Sequence, residues 1–322
     1  MRTATVGYGV IGKLHTKIQQ SRGTLVAVCD IDENALLSAP DVKKYTDYTE
    51  MLDSEELDIV HICTPHYLHC EMIVEALRRN INVLCEKPMC ISHAEIERIL
   101  EAEKRSDATL GICQQNRYNA ANVFVKEYIK DKKTVSGVAN VTWHRDEKYY
   151  RSGAWRGKKA TEGGGVLINQ ALHTLDLMQW FLGMPESVAA QISNLSLKEV
   201  SEVEDTATLV CNGSSNFTFY ATLASVCDFP VEISLKLDGE SLNIRPNGIV
   251  INGEYKKIDK KTVANDRKEC YGNSHEALIA DFYDCVKNKK HFAIDGSEGA
   301  KVIKLILAAY ESDASSQKVF VK

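Results

Sequence analysis

Residues 3–12 read TATVGYGVIG. A short apolar run ends in glycines spaced GxGxxG, and a helical pattern begins at once. Such a chain must turn sharply out of a buried strand into a helix packed close against it. Gly7 permits the turn, Gly9 lets another group approach the backbone, and Gly12 lets the helix sit tightly on the strand. The next apolar strand, TLVAVCD, ends in Asp30, 23 positions after Gly7. A helix N-terminus placed this way offers N–H groups and a partial positive charge to a pyrophosphate. Asp30 offers acceptors to an adenosine ribose. Gly7, Gly9, Val10, Ile11, Gly12 and Asp30 are therefore candidate dinucleotide-binding residues. The acids of DIDEN (30–34) would repel the extra phosphate of NADP, so NAD is the expected cofactor.

The pattern continues with apolar strands LDIVHICT (57–64), INVLCE (81–86) and TLGICQQN (109–116). Amphipathic helical segments at 69–80 and 93–105 lie between them, and Asn80 suits a left-handed helix end. Strands alternating with helices mean a parallel sheet covered on both faces, an α/β Rossmann domain. After about residue 118 the grammar changes. Strand-like runs at 135–145, 186–194, 204–212, 215–225, 230–237 and 241–258 are separated by turns, the last broken by Pro246-Asn247-Gly248. Helices are expected near 273–288 and 297–313. The expectation is a Rossmann domain over 1–118 and an α+β domain over 119–322 with a large, mostly antiparallel open sheet.

Composition narrows the function classes. The 322 residues carry a formal net charge of −5, so no overall basic field recruits nucleic acid. No apolar run approaches the roughly 18–20 residues of a membrane span. With a structured glycine motif beginning at Gly7, a secretory leader is not expected. Ten cysteines without a CxxC, many in apolar runs, read as reduced thiols of a cytoplasmic protein.

Four stretches in order carry a family resemblance: the glycine turn, CTPHYLH (63–69), EKP (86–88) and GGGVLINQALHTLD (163–176). The set resembles the Gfo/Idh/MocA oxidoreductases of sugars and cyclitols over nearly the whole chain, including the closing HEALIADFYDCVKNKK…DGSEGAKVIKLILAAYESD (275–313). The resemblance implies that Thr64 and Pro65 border the nicotinamide. His66 stands where the family often has Asn, and His69 matches its later His. It implies that Lys87, within Glu86-Lys87-Pro88, lies between nicotinamide and substrate hydroxyl, and that His173 is the acid/base residue. On the substrate side it adds Arg117, Tyr150, Trp155, Arg156 and Asn169. Tyr149-Tyr150 with Trp155-Arg156-Gly157 is similar to a subset that includes nucleotide-sugar dehydrogenases. Many members have Asp where this chain has Asn169, an amide that cannot titrate. The resemblance also implies homodimers or homotetramers formed through the second domain's sheet.

The residues themselves agree. Lys87 precedes proline, so its backbone is held extended, and the Lys87–Pro88 bond is a candidate cis peptide. An ammonium at the C-terminal end of a parallel strand stabilises a developing alkoxide, and Glu86 can hold that amine in place. Asn169, His173 and Asp176, at helical spacing, share one face, with Asp176 able to accept a ring N–H of His173. In 144–159 Arg145, Lys148, Arg151, Arg156, Lys158 and Lys159 outnumber Asp146 and Glu147, which suits an anionic sugar. The crowd His61, Cys63, His66, His69 and Cys70 has no metal-ligand spacing, and no metal is expected. The function expected is NAD-dependent hydride transfer to or from a sugar, sugar-acid, nucleotide-sugar or cyclitol hydroxyl carbon. The alternatives are a glycosidase-like enzyme working by transient oxidation and a non-enzymatic NAD sensor. Chain length speaks against the first, and intact Lys87 and His173 against the second.

Overall fold

A computed structural model of the chain describes residues 1–245, 248–258 and 274–322. Pro246 and Asn247 of the expected strand break, and residue 273 of the expected closing helix, lie outside the described residues. The chain divides into two compact units: Met1–Gln114 with His275–Ala300, and Gln115–Ser274 with Lys301–Lys322. Where the sequence suggested one cut after 118, the chain leaves the first unit after Gln114 and re-enters it at His275.

The first unit is built on a six-stranded sheet of β1 (Thr3–Val6), β2 (Leu25–Cys29), β3 (Lys43–Tyr45), β4 (Ile59–Ile62), β5 (Asn82–Glu86) and β6 (Leu110–Cys113), in the order β3-β2-β1-β4-β5-β6. All pairs are parallel. Every residue of β1, β4 and β6 is buried, which is why they read as continuous apolar runs rather than alternating ones. The strand β3 was not visible in the sequence, because its three residues, Lys-Lys-Tyr, sit on the edge and carry no apolar pattern. The crossovers carry α1 (Val10–Ser21), α2 (Glu33–Leu36), α3 (Tyr48–Ser54), α4 (His69–Arg78) and α5 (His93–Arg105). Asn80 takes a left-handed φ of 55° just past α4, and its Oδ1 accepts from Ser106 Oγ and the Asp107 amide. The order reverses direction between β1 and β4, so the carboxyl ends of those strands, at Gly7 and Cys63, flank the switch point where open sheets bind ligands.

The second unit is built on nine strands among the described residues, in the order β14-β13-β12-β11-β7-β10-β9-β8-β15. They are β7 (Thr134–Thr142), β8 (Ser187–Ser193), β9 (Thr206–Asn212), β10 (Asn216–Thr222), β11 (Glu232–Leu237), β12 (Ser241–Arg245), β13 (Gly248–Ile251), β14 (Glu254–Lys257) and β15 (Val319–Phe320). Pairing is antiparallel except between β7 and β10. Burial alternates along β9 and β10, one face covered and the other open. Its helices are α6 (Ala120–Tyr128), α7 (Glu147–Arg151), α8 (Lys159–Glu162) and α9 (Leu172–Leu182); α10 (Ser274–Asn288) belongs to the first unit from His275 on, and α11 (Gly296–Ser315) passes from the first unit to the second after Ala300. Helix α9 packs on β7 at Gly137, where a Cβ would stand 2.8 Å from Met178 Cε and Leu182 Cδ1. The missing side chain lets α9 approach the sheet and fixes where its residues lie. No helix among the described residues is long and apolar enough to cross a membrane.

Candidate active site

In the first unit the glycine turn has the geometry its spacing demands. Gly7 has a left-handed φ of 84°, and a Cβ there would lie 2.6 Å from the Cys63 carbonyl oxygen. A Cβ at Gly12 would overlap the Gly7 carbonyl oxygen, while one at Gly9 would meet nothing within 4 Å. So Gly7 and Gly12 close the turn, and Gly9 leaves space over it. Helix α1 begins with no side-chain cap and no acid in its first turn, which leaves its amides to an incoming anion. Val10 is exposed at its start, and Ile11 is half-buried. Asp30 is anchored by the Tyr8 amide (2.6 Å) on one oxygen and the Asp32 amide (2.9 Å) on the other, with acceptor positions remaining on both.

The Thr-Pro and Glu-Lys-Pro loops are tied together by His69, which is fully buried. Its Nδ1 lies 2.6 Å from the Pro88 carbonyl oxygen and its Nε2 2.8 Å from that of Thr64. His69 thus holds backbone; burial lowers its pKa, against the pull of the two carbonyls. Thr64 and Pro65 are half-buried, His66 is buried, and Thr64 Oγ1 reaches Met72 Sδ at 3.4 Å. The Lys87–Pro88 bond is cis.

Glu86 departs from expectation. Its Oε1 lies 3.0 Å from His15 Nε2 and 3.4 Å from His275 Nε2, and its Oε2 accepts from the Lys87 backbone amide at 3.3 Å. The carboxylate therefore holds the Lys87 backbone and two histidines rather than the Lys87 ammonium. Burial pushes the Glu86 carboxyl up, but the hydrogen bonds and charges of His15 and His275 outweigh it and hold it well below the carboxylate range. Beyond it runs a buried chain: His15 Nδ1 to His61 Nδ1 at 2.9 Å, then His61 Nε2 to the Tyr283 hydroxyl at 2.9 Å. Burial and the neighbouring His15 keep His61 well below the usual histidine pKa, hence neutral. Among the described residues the group with ligand atoms close enough for a metal, all within 4.8 Å, is His15, Glu86 and His275. Sequence reasoning weighed only the crowd from His61 to Cys70 and expected no metal there. His15 was missed because it lies on α1 and meets Glu86 only through the fold.

In the second unit, the segment 163–176, whose Asn169, His173 and Asp176 were expected to share one helical face, is a turn followed by a helix. Gly163 and Gly164 have positive φ values of 86° and 157°. A Cβ on Gly165 would overlap the Glu204 backbone, and α9 begins only at Leu172. Glu204 clamps this turn, its Oε2 accepting from the Gly165 amide (2.8 Å) and its Oε1 from the Leu167 amide (3.0 Å) and the Tyr310 hydroxyl (2.9 Å). Asn169 therefore does not share a helical face with His173. Its Nδ2 donates to Glu162 Oε1 at 2.6 Å.

Asp176 does not orient His173 either. Arg117 Nε and Nη2 donate to its two oxygens at 2.7 and 2.6 Å, and Gln179 Nε2 donates at 3.1 Å. Arg117, expected on the substrate side, is buried in this pair and lies 5.4 Å from the Trp180 ring centre. One side chain beside the imidazole is Gln115, which sequence reasoning did not single out; its Nε2 is 3.4 Å from His173 Nε2.

Of the two tyrosines, Tyr150 is buried and stacked edge-on against Tyr149. Tyr149, not Tyr150, is where polar groups converge: its hydroxyl accepts from Arg156 Nη1 (2.5 Å), Gln170 Nε2 (2.9 Å) and Asn169 Nδ2 (3.4 Å). The Arg156 guanidinium lies 4.5 Å from the ring centres of both Tyr149 and Trp155. The basic loop is less positive than its sequence suggested, since Arg145 pairs with Asp228 and Arg151 with Glu147. No carboxylate among the described residues pairs with Arg156.

The chain belongs to the Gfo/Idh/MocA family: the description "Oxidoreductase family, NAD-binding Rossmann fold" matches residues 1–113, and "GFO/IDH/MocA C-terminal domain" matches residues 133–245. It is an NAD-dependent oxidoreductase. Inositol 2-dehydrogenase of Salmonella typhimurium is 22% identical over 295 residues, 88% of this chain and 85% of that protein. Among solved structures, the WlbA dehydrogenase of Chromobacterium violaceum in complex with NADH and UDP-GlcNAcA is 27% identical with a TM-score of 0.89, over 100% of this chain and 96% of that one. WlbA of Bordetella pertussis, with the same two ligands, is 25% identical with a TM-score of 0.88, over 100% and 99%.

Proposed function

We propose that the chain is an NAD-dependent dehydrogenase of a sugar bearing a carboxylate or phosphate: a sugar acid, sugar phosphate or nucleotide sugar. Arg156 carries this reading. A guanidinium held between two aromatic rings, with no carboxylate beside it among the described residues, calls for an anion. Tyr149 joins it to Asn169 and Gln170, on the turn that leads to His173. The similar WlbA structures, which hold a UDP-linked ligand, support an anionic sugar. The inositol dehydrogenase relative favours a second reading, a neutral cyclitol.

Gly7, Gly9, Val10, Ile11, Gly12 and Asp30 would hold the pyrophosphate and ribose of NAD, and Thr64, Pro65 and His66 the nicotinamide side, with His69 and Glu86 fixing those loops. Bound NAD supplies the hydride acceptor. His173 takes the hydroxyl proton as the carbon–hydrogen pair leaves as hydride, and Lys87 stabilises the alkoxide that develops. Trp155 offers a stacking face to a sugar ring. A homodimer or homotetramer through the open sheet face, where Val138, Val210 and Tyr220 are exposed, completes the proposal.

Steady-state kinetics on Arg156→Ala tests the substrate class. KM for the charged substrate should rise roughly tenfold or more, the weight of a hydrogen bond to a charged group, with less change for a neutral analogue. Equal losses for both favour the cyclitol. Net NADH formation separates a dehydrogenase from a glycosidase or a sensor.

A further inference from the structure

Both oxygens of Asp176 are held by Arg117 and Gln179, and the Gln115 amide lies beside the His173 ring. We propose that Gln115 is the positioning residue of His173, and that an uncharged amide at this place keeps the imidazole available as a base. The inference rests on the reading of His173 as proton acceptor given above.

Gln115 opens the 3₁₀ turn Gln115–Tyr118 and is only 2% exposed. Two contacts, one through a side chain and one through the backbone, fix that turn in place. Arg117 bolts it to α9 through Asp176, and the Asn116 carbonyl accepts from Asn122 Nδ2 at 2.7 Å. Gln115 Nε2 then falls 3.4 Å from His173 Nε2, while its Oε1 is buried without a partner among the described residues. An amide bears a donor and an acceptor on one arm. Turned so that Oε1 faces the ring, it accepts from Nε2–H of the neutral imidazole and leaves Nδ1 as the nitrogen that takes the hydroxyl proton. The same acceptor serves the Nε2–H of the imidazolium that forms once the proton is taken. One side chain thus meets both protonation states without adding charge. A carboxylate in its place would favour the imidazolium and raise its pKa.

The other charged and titratable groups around α9 fit this picture. On α9 itself there is Asp176, matched by Arg117. The turn adds Tyr118. From α6, Lys126 reaches the Trp180 carbonyl. Before α9, Glu162 accepts from Asn169 and from the Gly157 amide. The covered faces of β7 and β10 bring no titratable side chain, since Tyr220 lies on the open face. Arg117 therefore matters twice: it places Gln115 and neutralises the carboxylate nearest along the helix.

The test is the ring titration of His173, followed by NMR in full-length protein labelled at histidine and assigned with His173→Gln. Gln115→Glu should raise the His173 pKa by about one unit or more, as an opposite charge within contact does. The acid limb of kcat/KM should move up with it. Gln115→Met should change the ratio of Nδ1 to Nε2 tautomers and lower kcat by roughly 10–100-fold, the usual loss for an orienting partner. A His173 pKa that stays put in Gln115→Glu, or a tautomer ratio that stays put in Gln115→Met, overturns the inference. If the pKa moves and the acid limb does not, the contact stands and it is the assignment of His173 as base that fails.

Discussion

Replacing Arg117 by methionine should separate a structural bolt from a substrate ligand. The guanidinium meets Asp176 through two hydrogen bonds of 2.7 and 2.6 Å, with side-chain exposures of 4% and 1% for the two partners. Arg117→Met leaves the Asp176 carboxylate buried with the Gln179 amide as its remaining donor. Stranding one charge of a buried pair costs about 3–5 kcal/mol. For a unit of this size each kcal/mol moves Tm by roughly 2–4 °C, so a drop of roughly 6–20 °C is expected by calorimetry. Removing both charges in Arg117→Met/Asp176→Leu should recover most of it, because no orphan charge remains. Because the pair also places Gln115, kcat should fall in the single variant more than KM rises. An unchanged Tm with KM raised selectively would refute this and return Arg117 to the substrate.

The remaining expectations are narrower. His173→Ala and Lys87→Ala should each lose ~10²–10⁴-fold in kcat while NADH fluorescence titration shows binding intact; near-normal kcat removes that residue from the chemistry. Their double variant should lose less than the product of the single losses, since one proton path is removed twice. NAD should bind at least ~tenfold tighter than NADP, about 1.4 kcal/mol, because Asp30 and its acidic neighbours face the added phosphate; equal affinities would refute that role. Glu103 gives a pH signature. Burial, helped by Asp295 and opposed by the Gly296 amide and His291, raises its carboxyl from 4.5 to about 7. Between those values the folded chain holds a proton that the unfolded chain has released, so stability should fall as pH rises through that window. Urea midpoints of Glu103→Gln should lack this slope, and an unaltered slope would show that another group carries it.

The Rossmann unit was legible because its signals are local. A glycine turn, an apolar strand and an amphipathic helix each fall within a dozen residues, and the backbone contacts that forbid side chains at Gly7 and Gly12 lie inside or beside that turn. The edge strand β3 was not legible, since an edge strand needs no apolar face. The return of His275–Ala300 to the first unit was also hidden. It depends on Gly111, where a Cβ would stand 2.7 Å from the Phe282 ring, a partner far along the chain. In the second unit the strands showed themselves by alternation, but the parallel pairing of β7 with β10 joins segments some eighty residues apart.

The candidate site was legible in its residue types and not in its pairings, and the reason is visible at 163–176. Helical spacing was read from Asn169 to Asp176, just past three consecutive glycines that each cost about 1 kcal/mol relative to alanine inside a helix. That cost was the available signal for a turn, and two of the three do take positive φ. Once the helix starts at Leu172, Asn169 is free to face Glu162, and Asp176 faces a residue 59 positions earlier. The choice between Tyr149 and Tyr150 follows the same rule. Neighbours on a short helix point to different sides, and the buried side is set by Gly157, whose Cβ would lie 3.1 Å from the Tyr150 ring. A dipeptide can announce that a tyrosine belongs to the site. Which tyrosine it is depends on packing that reaches the pair from outside its own helix.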